Sequence, residues 1–417
     1  MKPTVLQHFA ALLAVPLFLS ACKTQATAQT AAATPAPQVE AVEESTSGDA
    51  VEELMRQMTL RQKVGQLFMV RPDALDLTLE QEAIDDEKAG GVTCLSDAMR
   101  QTLEEYPVGG ICQFGKNITD PQQITTFNAS LQEASAVPLL IAVDEEGGSV
   151  ARLANHPGFE LPQYESTAAV GATGNPENAR QMGCTIGSYL KSYGFTMDFA
   201  PVADVWTNPG NTVIGTRAFS QDASIAAAMA DSMARGLREA GILPTFKHFP
   251  GHGNTAEDSH SGLAYTYRTK EEMAQCEFLP FLSSSGGDSE EGFRAVMVGH
   301  IAAPELGTGD TPASLSWQVV TKLLREELLE NEDVLVITDS LAMGAITEQY
   351  TPGQAAVEAV LAGNDMILMP DGLAEAFEAV LAAVEDGTIS EERLDESVAR
   401  ILRFKQQYAG LQTAAGQ

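Results

Sequence analysis

Between residues 51 and 409, short apolar and β-branched runs alternate with longer stretches of helical period. Runs at 64–70 (VGQLFMV), 109–114 (GGICQF), 138–143 (PLLIAV) and 196–203 (TMDFAPVA) predict strands. Four more lie at 242–248 (ILPTFKH), 294–300 (RAVMVGH), 333–338 (DVLVIT) and 365–369 (DMILM). Helices are predicted between them, for example over 177–193, 222–240, 316–330, 353–362 and 372–386. A last helix opens behind Ser390, a good N-cap residue, and runs to Tyr408. Continuous apolar strands separated by helices imply a parallel sheet covered on both faces. Eight of them predict an α/β fold with a single (β/α)8 TIM-type barrel, and about 360 residues suits such a barrel with insertions. An open doubly wound sheet is the alternative. No G-x-G-x-x-G comes after the first strand and no Walker motif is present, which weighs against nucleotide-binding versions of it.

The chain opens with Lys2 and an almost wholly apolar run from Phe9 to Leu19. That run is short for a membrane span and reads as the core of a signal peptide over residues 1–21. It ends in Leu19-Ser20-Ala21-Cys22, which resembles the lipobox of bacterial lipoproteins. The resemblance implies lipidation of Cys22 and export to the bacterial cell surface or periplasm, anchored to a membrane. An ordinary secretory signal that contains Cys22 by chance is the alternative. Residues 22–50 are rich in Ala, Thr, Gln, Pro and Glu without an apolar period, and are expected to form a disordered tether. Residues 51–417 are left for the barrel domain.

Acidic residues outnumber basic ones 57 to 25, a net charge of −32 that argues against a nucleic-acid partner, whose phosphates would be repelled. Five cysteines are too few for a disulfide scaffold in 417 residues. Cys94, Cys112, Cys184 and Cys276 show no CxxC pair and no metal-ligand spacing with histidine. Cys112 and Cys184 sit in apolar contexts that read as core. Asn117-Ile-Thr and Asn128-Ala-Ser match the glycosylation sequon, incidentally so if the export signal is bacterial.

In a barrel of this kind the site lies at the C-terminal ends of the strands. Strand 138–143 runs into Asp144-Glu145-Glu146-Gly147-Gly148. Strand 242–248 ends in Lys247-His248 and continues as Phe249-Pro250-Gly251-His252-Gly253. Strand 294–300 ends at His300, and 333–338 leads into Asp339-Ser340. Ionisable groups at the ends of several independent strands predict a polar pocket.

Lys247-His248-Phe249-Pro250-Gly251-His252-Gly253, with Asp258-Ser259-His260 after it, resembles the signature of glycoside hydrolase family 3, in its β-N-acetylhexosaminidase branch. Asp144 to Gly148 with Arg152, Asp198-Phe199-Ala200-Pro201, Gly215-Thr216-Arg217, Ile337 to Met343 and Ala362 to Met366 resemble further blocks of that family in the same order. Glu145 and Ser149 depart from the family's usual Asp-Gln-Glu-Gly-Gly-Arg. Residues 72–107, with an acidic stretch from Glu80 to Glu87, read as an exposed insertion, a lid being the alternative.

Glycoside hydrolysis needs one group at the anomeric carbon and another to protonate the leaving oxygen. The resemblance implies Asp339 as nucleophile, His260 as general acid/base and Asp258 as the carboxylate that orients it. It also implies that Asp144, Arg152, Arg217, Lys247 and His248 bind the terminal sugar, that His252 supports its loop and that His300 lines the pocket. The activity so implied is a retaining exo-β-N-acetylhexosaminidase that removes terminal β-linked N-acetylglucosamine through a covalent glycosyl-enzyme. Peptidoglycan fragments or chitin-derived and glycan-derived oligosaccharides are the expected substrates. No metal or organic cofactor is implied, and a monomer is expected. Three other readings stay open: a β-glucosidase or β-xylosidase, a phosphorylase of the same fold, and a non-catalytic sugar-binding lipoprotein. A zinc site from His248, His252, His260 and His300 is weaker, because Pro250 and Gly251 keep H-x-x-x-H off a helical face.

Overall fold

The computed structural model describes residues 47–256, 262–282, 294–330 and 333–412. Eight parallel strands succeed one another in chain order around the sheet. They are β1 (Phe68–Val70), β2 (Gly110–Gln113), β3 (Leu140–Val143), β4 (Met197–Asp198), β5 (Leu243–Phe249), β6 (Ala295–Val298), β7 (Leu335–Thr338) and β8 (Ile367–Leu368). Phe68 pairs with Ile367 and Met69 with Leu368, so β8 returns to β1. A bridge between Ile337 and Met366, with Thr338 N donating to Met366 O at 3.1 Å, joins β7 to β8 and closes the ring. The barrel is the predicted one, and the open sheet is set aside.

Seven of the eight strands are shorter than the apolar runs, and β5 keeps the full seven residues. In 64–70 the first half is helical: Thr59 caps the helix Leu60–Gln66 through a reciprocal capping box with Gln62. Only Phe68–Val70 remains for the ladder. In 196–203 the ladder covers Met197–Asp198, and the chain then passes through Pro201 to a single bridge between Val202 and Lys247. Helices run at Pro176–Ser192, Ala223–Glu239, Pro352–Ala362 and Leu373–Glu385, close to the predicted spans. The last helix is Glu391–Tyr408, capped as expected by Ser390, whose hydroxyl accepts from Arg393 N. A helix at Ser47–Gln57 begins ahead of residue 51, and buries Val51 and Met55. Cys22 and the rest of the N-terminal segment lie outside the described residues.

Every residue of β1, β2, β3, β5, β6 and β7 is buried. Removing such apolar surface from water, at about 25 cal/mol per Å², is the main force holding the sheet. The sequon residues Asn117 and Asn128 are buried too, and Asn117 donates to Asp73 at 2.6 Å. Cys112 is a core residue as expected, whereas Cys184 is partly exposed on its helix, with Glu239 3.3 Å from its sulfur. Cys94 and Cys276 are free thiols, as are these two.

Asp365 of the Ala362–Met366 block anchors the end of the barrel opposite the strand C-termini. Burial alone would raise its pKa, but Arg325, Arg400 and Arg393 hold it down to about 2. Arg325 and Arg400 reach it at 2.5 and 2.6 Å, so the last helix is fastened beneath β7 and β8. That block serves the scaffold and takes no part in lining the cavity at the strand C-termini.

Lys405 on the same helix is fully buried and donates to Gln66 Oε1 at 2.6 Å. Burial pushes its pKa down to about 7. The unfolded chain, with its lysine near ~10.4, binds the proton more tightly than the folded one. The cost of burying the charge is therefore fully present below pH 7 and fades as the pH rises above it. Lys405→Met is expected to stabilise the fold at pH 6 by on the order of 1–3 kcal/mol, and by clearly less at pH 9. Thermal unfolding at the two pH values tests this; equal gains would remove Lys405 as a source of pH dependence.

Candidate active site

The C-terminal ends of the strands surround a cavity of about 730 Å³. That is within the range of small-ligand pockets. Asp144, Arg152, Arg217, Lys247, His248 and Asp339 all line it. Six residues from four separate stretches of sequence thus line one cavity. Asp258 and His260 lie outside the described residues.

The centre of the site is a chain of alternating charges. Lys247, on β5 and buried, reaches Asp144 Oδ1 and Glu146 Oε1, each at 2.6 Å. Arg217 grips the same Glu146 with two bonds of 2.7 and 2.8 Å. Burial would raise the Glu146 carboxyl, but Arg217 and Lys247 outweigh it and hold the group well below the usual carboxylate range. Burial likewise opposes the charge of Lys247 and Arg217, and their acidic neighbours raise both pKa values above the ordinary ones. Glu146 is held ionised between two cations and has no proton to give near neutral pH.

Glu146 was not singled out from the sequence, although it stands two residues from Asp144 on an extended segment and so faces the same way. Glu145 between them is buried elsewhere. Its carboxylate accepts from Leu153 N at 2.9 Å, Ala154 N at 2.8 Å and the Tyr189 hydroxyl at 2.8 Å. It pins the strand that presents Arg152, and burial pushes its pKa up. The hairpin Glu145–Ala151 turns through Gly147 (φ 85°) and Gly148 (φ 64°). A Cβ on Gly147 would meet only the terminal methyl of the flexible Met182 side chain, so it is the left-handed backbone that requires glycine there. Ser149, the second departure from the family block, lines the pocket.

Asp204 is another residue that went unmarked in the sequence. It accepts from His248 Nδ1 at 2.7 Å, from His248 N at 3.3 Å and from His252 N at 2.6 Å. It therefore sets both the ring of His248 and the turn beyond it. As an ionisable residue directly after an apolar run it obeyed the rule that found the others. His252 lines the pocket and bonds Thr255 through Nδ1 at 2.7 Å. Burial first, and His248 second, lower its pKa.

His300 is placed differently from the expectation and is absent from the pocket lining. It is fully buried, with Nδ1 on the Ser314 hydroxyl at 2.7 Å and Nε2 on the Ser340 carbonyl at 2.8 Å. It braces the turn behind Asp339, and both its nitrogens are engaged, which removes it from the zinc reading. Asp339 leaves β7 with its N–H on Val298 O at 2.9 Å, and its Oδ1 accepts from Ser340 N at 2.8 Å. The 72–107 segment is more than an exposed insertion, because Asp85 and Glu87 stand in the pocket lining.

The barrel mouth sets a carboxylate at one strand end across from paired carboxylate, ammonium and guanidinium groups, an arrangement that can both accept from and donate to hydroxyl groups. The chain belongs to the glycosyl hydrolase family 3 N-terminal domain family, whose model matches residues 59–404.

Among its relatives, a beta-hexosaminidase A of Pseudoalteromonas piscicida is 31% identical over 375 residues, covering 84% of this chain and 61% of the relative. The beta-hexosaminidase LpqI of Mycobacterium tuberculosis is 33% identical over 325 residues, covering 76% of this chain and 80% of that protein. The structure of a family 3 β-N-acetylglucosaminidase from Paenibacillus sp. str. FPU-7 superposes with a TM-score of 0.73 at 40% identity, covering 84% of this chain and 62% of the other. The chain thus spans about three fifths of the length of two of these relatives.

Proposed function

We propose that the protein is a retaining exo-β-N-acetylhexosaminidase acting on terminal β-linked N-acetylglucosamine. The observation that carries the reading is Asp339 at the end of β7, sharing one cavity with the Asp144–Lys247–Glu146–Arg217 charge chain, Arg152 and His248. The names of the relatives support the same activity.

In the proposed reaction an Asp339 oxygen attacks the anomeric carbon and forms a glycosyl-enzyme ester. The departing oxygen takes a proton from His260, oriented by Asp258. A water molecule then gives a proton to His260 and attacks the same carbon, releasing the sugar with its configuration retained. A separate proton donor is needed because Glu146, the most deeply buried acid of the pocket, is locked as an anion. Asp144, Arg152, Arg217, Lys247 and His248 would hold the ring hydroxyls and the N-acetyl group. The balance of charges favours an uncharged sugar over an anionic one. Export and anchoring through lipidated Cys22, a monomeric state, and peptidoglycan or chitin fragments as substrates belong to the same proposal.

The test is release of nitrophenol from the β-N-acetylglucosaminide and the β-glucoside side by side, using the chain from Lys23 onward. At least about 100-fold higher kcat/KM is expected for the N-acetyl sugar, equivalent to about 2.7 kcal/mol. Preference for the plain glucoside would overturn the branch. A rate that requires phosphate would make the protein a phosphorylase, and binding without turnover a sugar-binding protein.

A further inference from the structure

The segment between β1 and β2 brings two carboxylates into the pocket, Asp85 and Glu87. Each meets a guanidinium of the wall: Asp85 lies 3.6 Å from Arg71 Nη1 and Glu87 lies 3.5 Å from Arg152 Nη1. The two guanidiniums share the Phe114 ring, 4.2 and 5.1 Å from its centre. Arg152 also stands 3.8 Å from Asp144 Oδ2. It is therefore suspended between two acids with no short bond to either, and its Nε has no partner. A fork of five donors so loosely engaged has capacity left for a ligand.

Strand order decides which edge of a sugar meets this wall. In a closed ring of eight strands β3 lies opposite β7. Asp339 comes directly after β7, while Arg152 comes after β3 and holds Glu87 beside it. In a pyranose, C4 is the ring carbon opposite C1. A ring with C1 at Asp339 therefore turns C4 toward Arg152 and Glu87.

We propose that Glu87 is a specificity-determining residue which, with Arg152, reads the configuration of the C4 hydroxyl and favours N-acetylglucosamine over its C4 epimer. The inference rests on the glycosidase reading. An equatorial hydroxyl projects from the ring edge, where it can donate to the carboxylate and accept from the guanidinium. An axial hydroxyl leaves that plane and loses one of the two bonds. No bond at C4 is made or broken, so the contact is equal in ground and transition states and acts on KM rather than kcat.

The experiment measures kcat and KM of the full chain and of Glu87→Gln, Glu87→Ala and Glu87→Asp on the nitrophenyl β-N-acetylglucosaminide and β-N-acetylgalactosaminide. Glu87→Gln is expected to raise KM for the first substrate roughly five- to fiftyfold. Its kcat should stay within about threefold and the ratio of kcat/KM between epimers should move toward one. Glu87→Asp should recover part of the loss. Stability should hardly change, because the Glu87 side chain is 53% exposed and its ion pair is loose. KM and epimer ratio within about twofold of the parent in both Glu87→Gln and Glu87→Ala would overturn the inference and leave the glycosidase reading standing, as would a loss confined to kcat. No turnover by the unsubstituted protein would overturn that reading and this inference with it.

Discussion

Asp339→Asn is expected to slow nitrophenol release from the β-N-acetylglucosaminide by at least about 10⁴-fold, on the order of 5 kcal/mol in the barrier. The amide has nearly the same volume as the carboxylate, and its oxygen can still accept from Ser340 N as Oδ1 does at 2.8 Å. His300, fixed by Ser314 and the Ser340 carbonyl, holds the turn in either case. Binding and fold should survive, so KM is expected within a few-fold of the parent and the melting temperature within about 2 °C. On the proposed mechanism the nucleophile is lost, since a neutral amide attacks C1 poorly and cannot replace the anion that stabilises positive charge there. Nitrophenol is a good leaving group that needs little protonation, so the measurement isolates the attacking group from the acid. Turnover within about tenfold of the parent would remove Asp339 from that role.

The second large effect is on stability. Glu146→Gln leaves the buried Lys247 with Asp144 as its ion-pair partner and takes the bidentate partner from Arg217, which is mostly buried and feels the charges of Asp204 and Asp144. Breaking a buried ion pair from one side costs about 3–5 kcal/mol, because a charge remains uncompensated. The melting temperature should fall by roughly 5–15 °C. The pH dependence has a definite sign. Glu146 titrates below its ordinary value when folded, so its contribution is present above the unfolded pKa and is lost only as the pH falls through the folded one. The gap between parent and variant should hold from about pH 8 to about 5.5 and narrow only below about pH 4. Denaturation across that range checks both claims. A variant as stable as the parent at pH 7 would mean that Lys247 and Arg217 are solvated or re-paired once Glu146 is neutral.

Much of the site is legible in the sequence because the barrel obeys a simple rule. Apolar runs become buried strands, and the residues just past each run stand at the mouth. That rule, with the block Lys247–Gly253, located Asp144, Lys247, His248 and Asp339. It failed where a residue's partner lies far away in the chain. His300 ends an apolar run like the others, yet Ser314 and Ser340 claim both its nitrogens and it does not line the cavity. Glu87 sits in an acidic stretch that looks like solvated surface, and only its approach to Arg152 gives it a place in the pocket.

The sequence by itself determined the number and order of strands, the helices between them, and the strand ends that carry chemistry. Those features come from local periodicity, capping and the burial of apolar residues. Tertiary structure alone decided that Glu146 joins Arg217 to Lys247, that Asp204 steers His248, and that the 72–107 segment reaches the site opposite Asp339. Each of these depends on the closing of β8 onto β1, which sets loops from distant parts of the chain around one mouth. Periodicity records which face of an element is buried, but not which loops the closed ring will bring together.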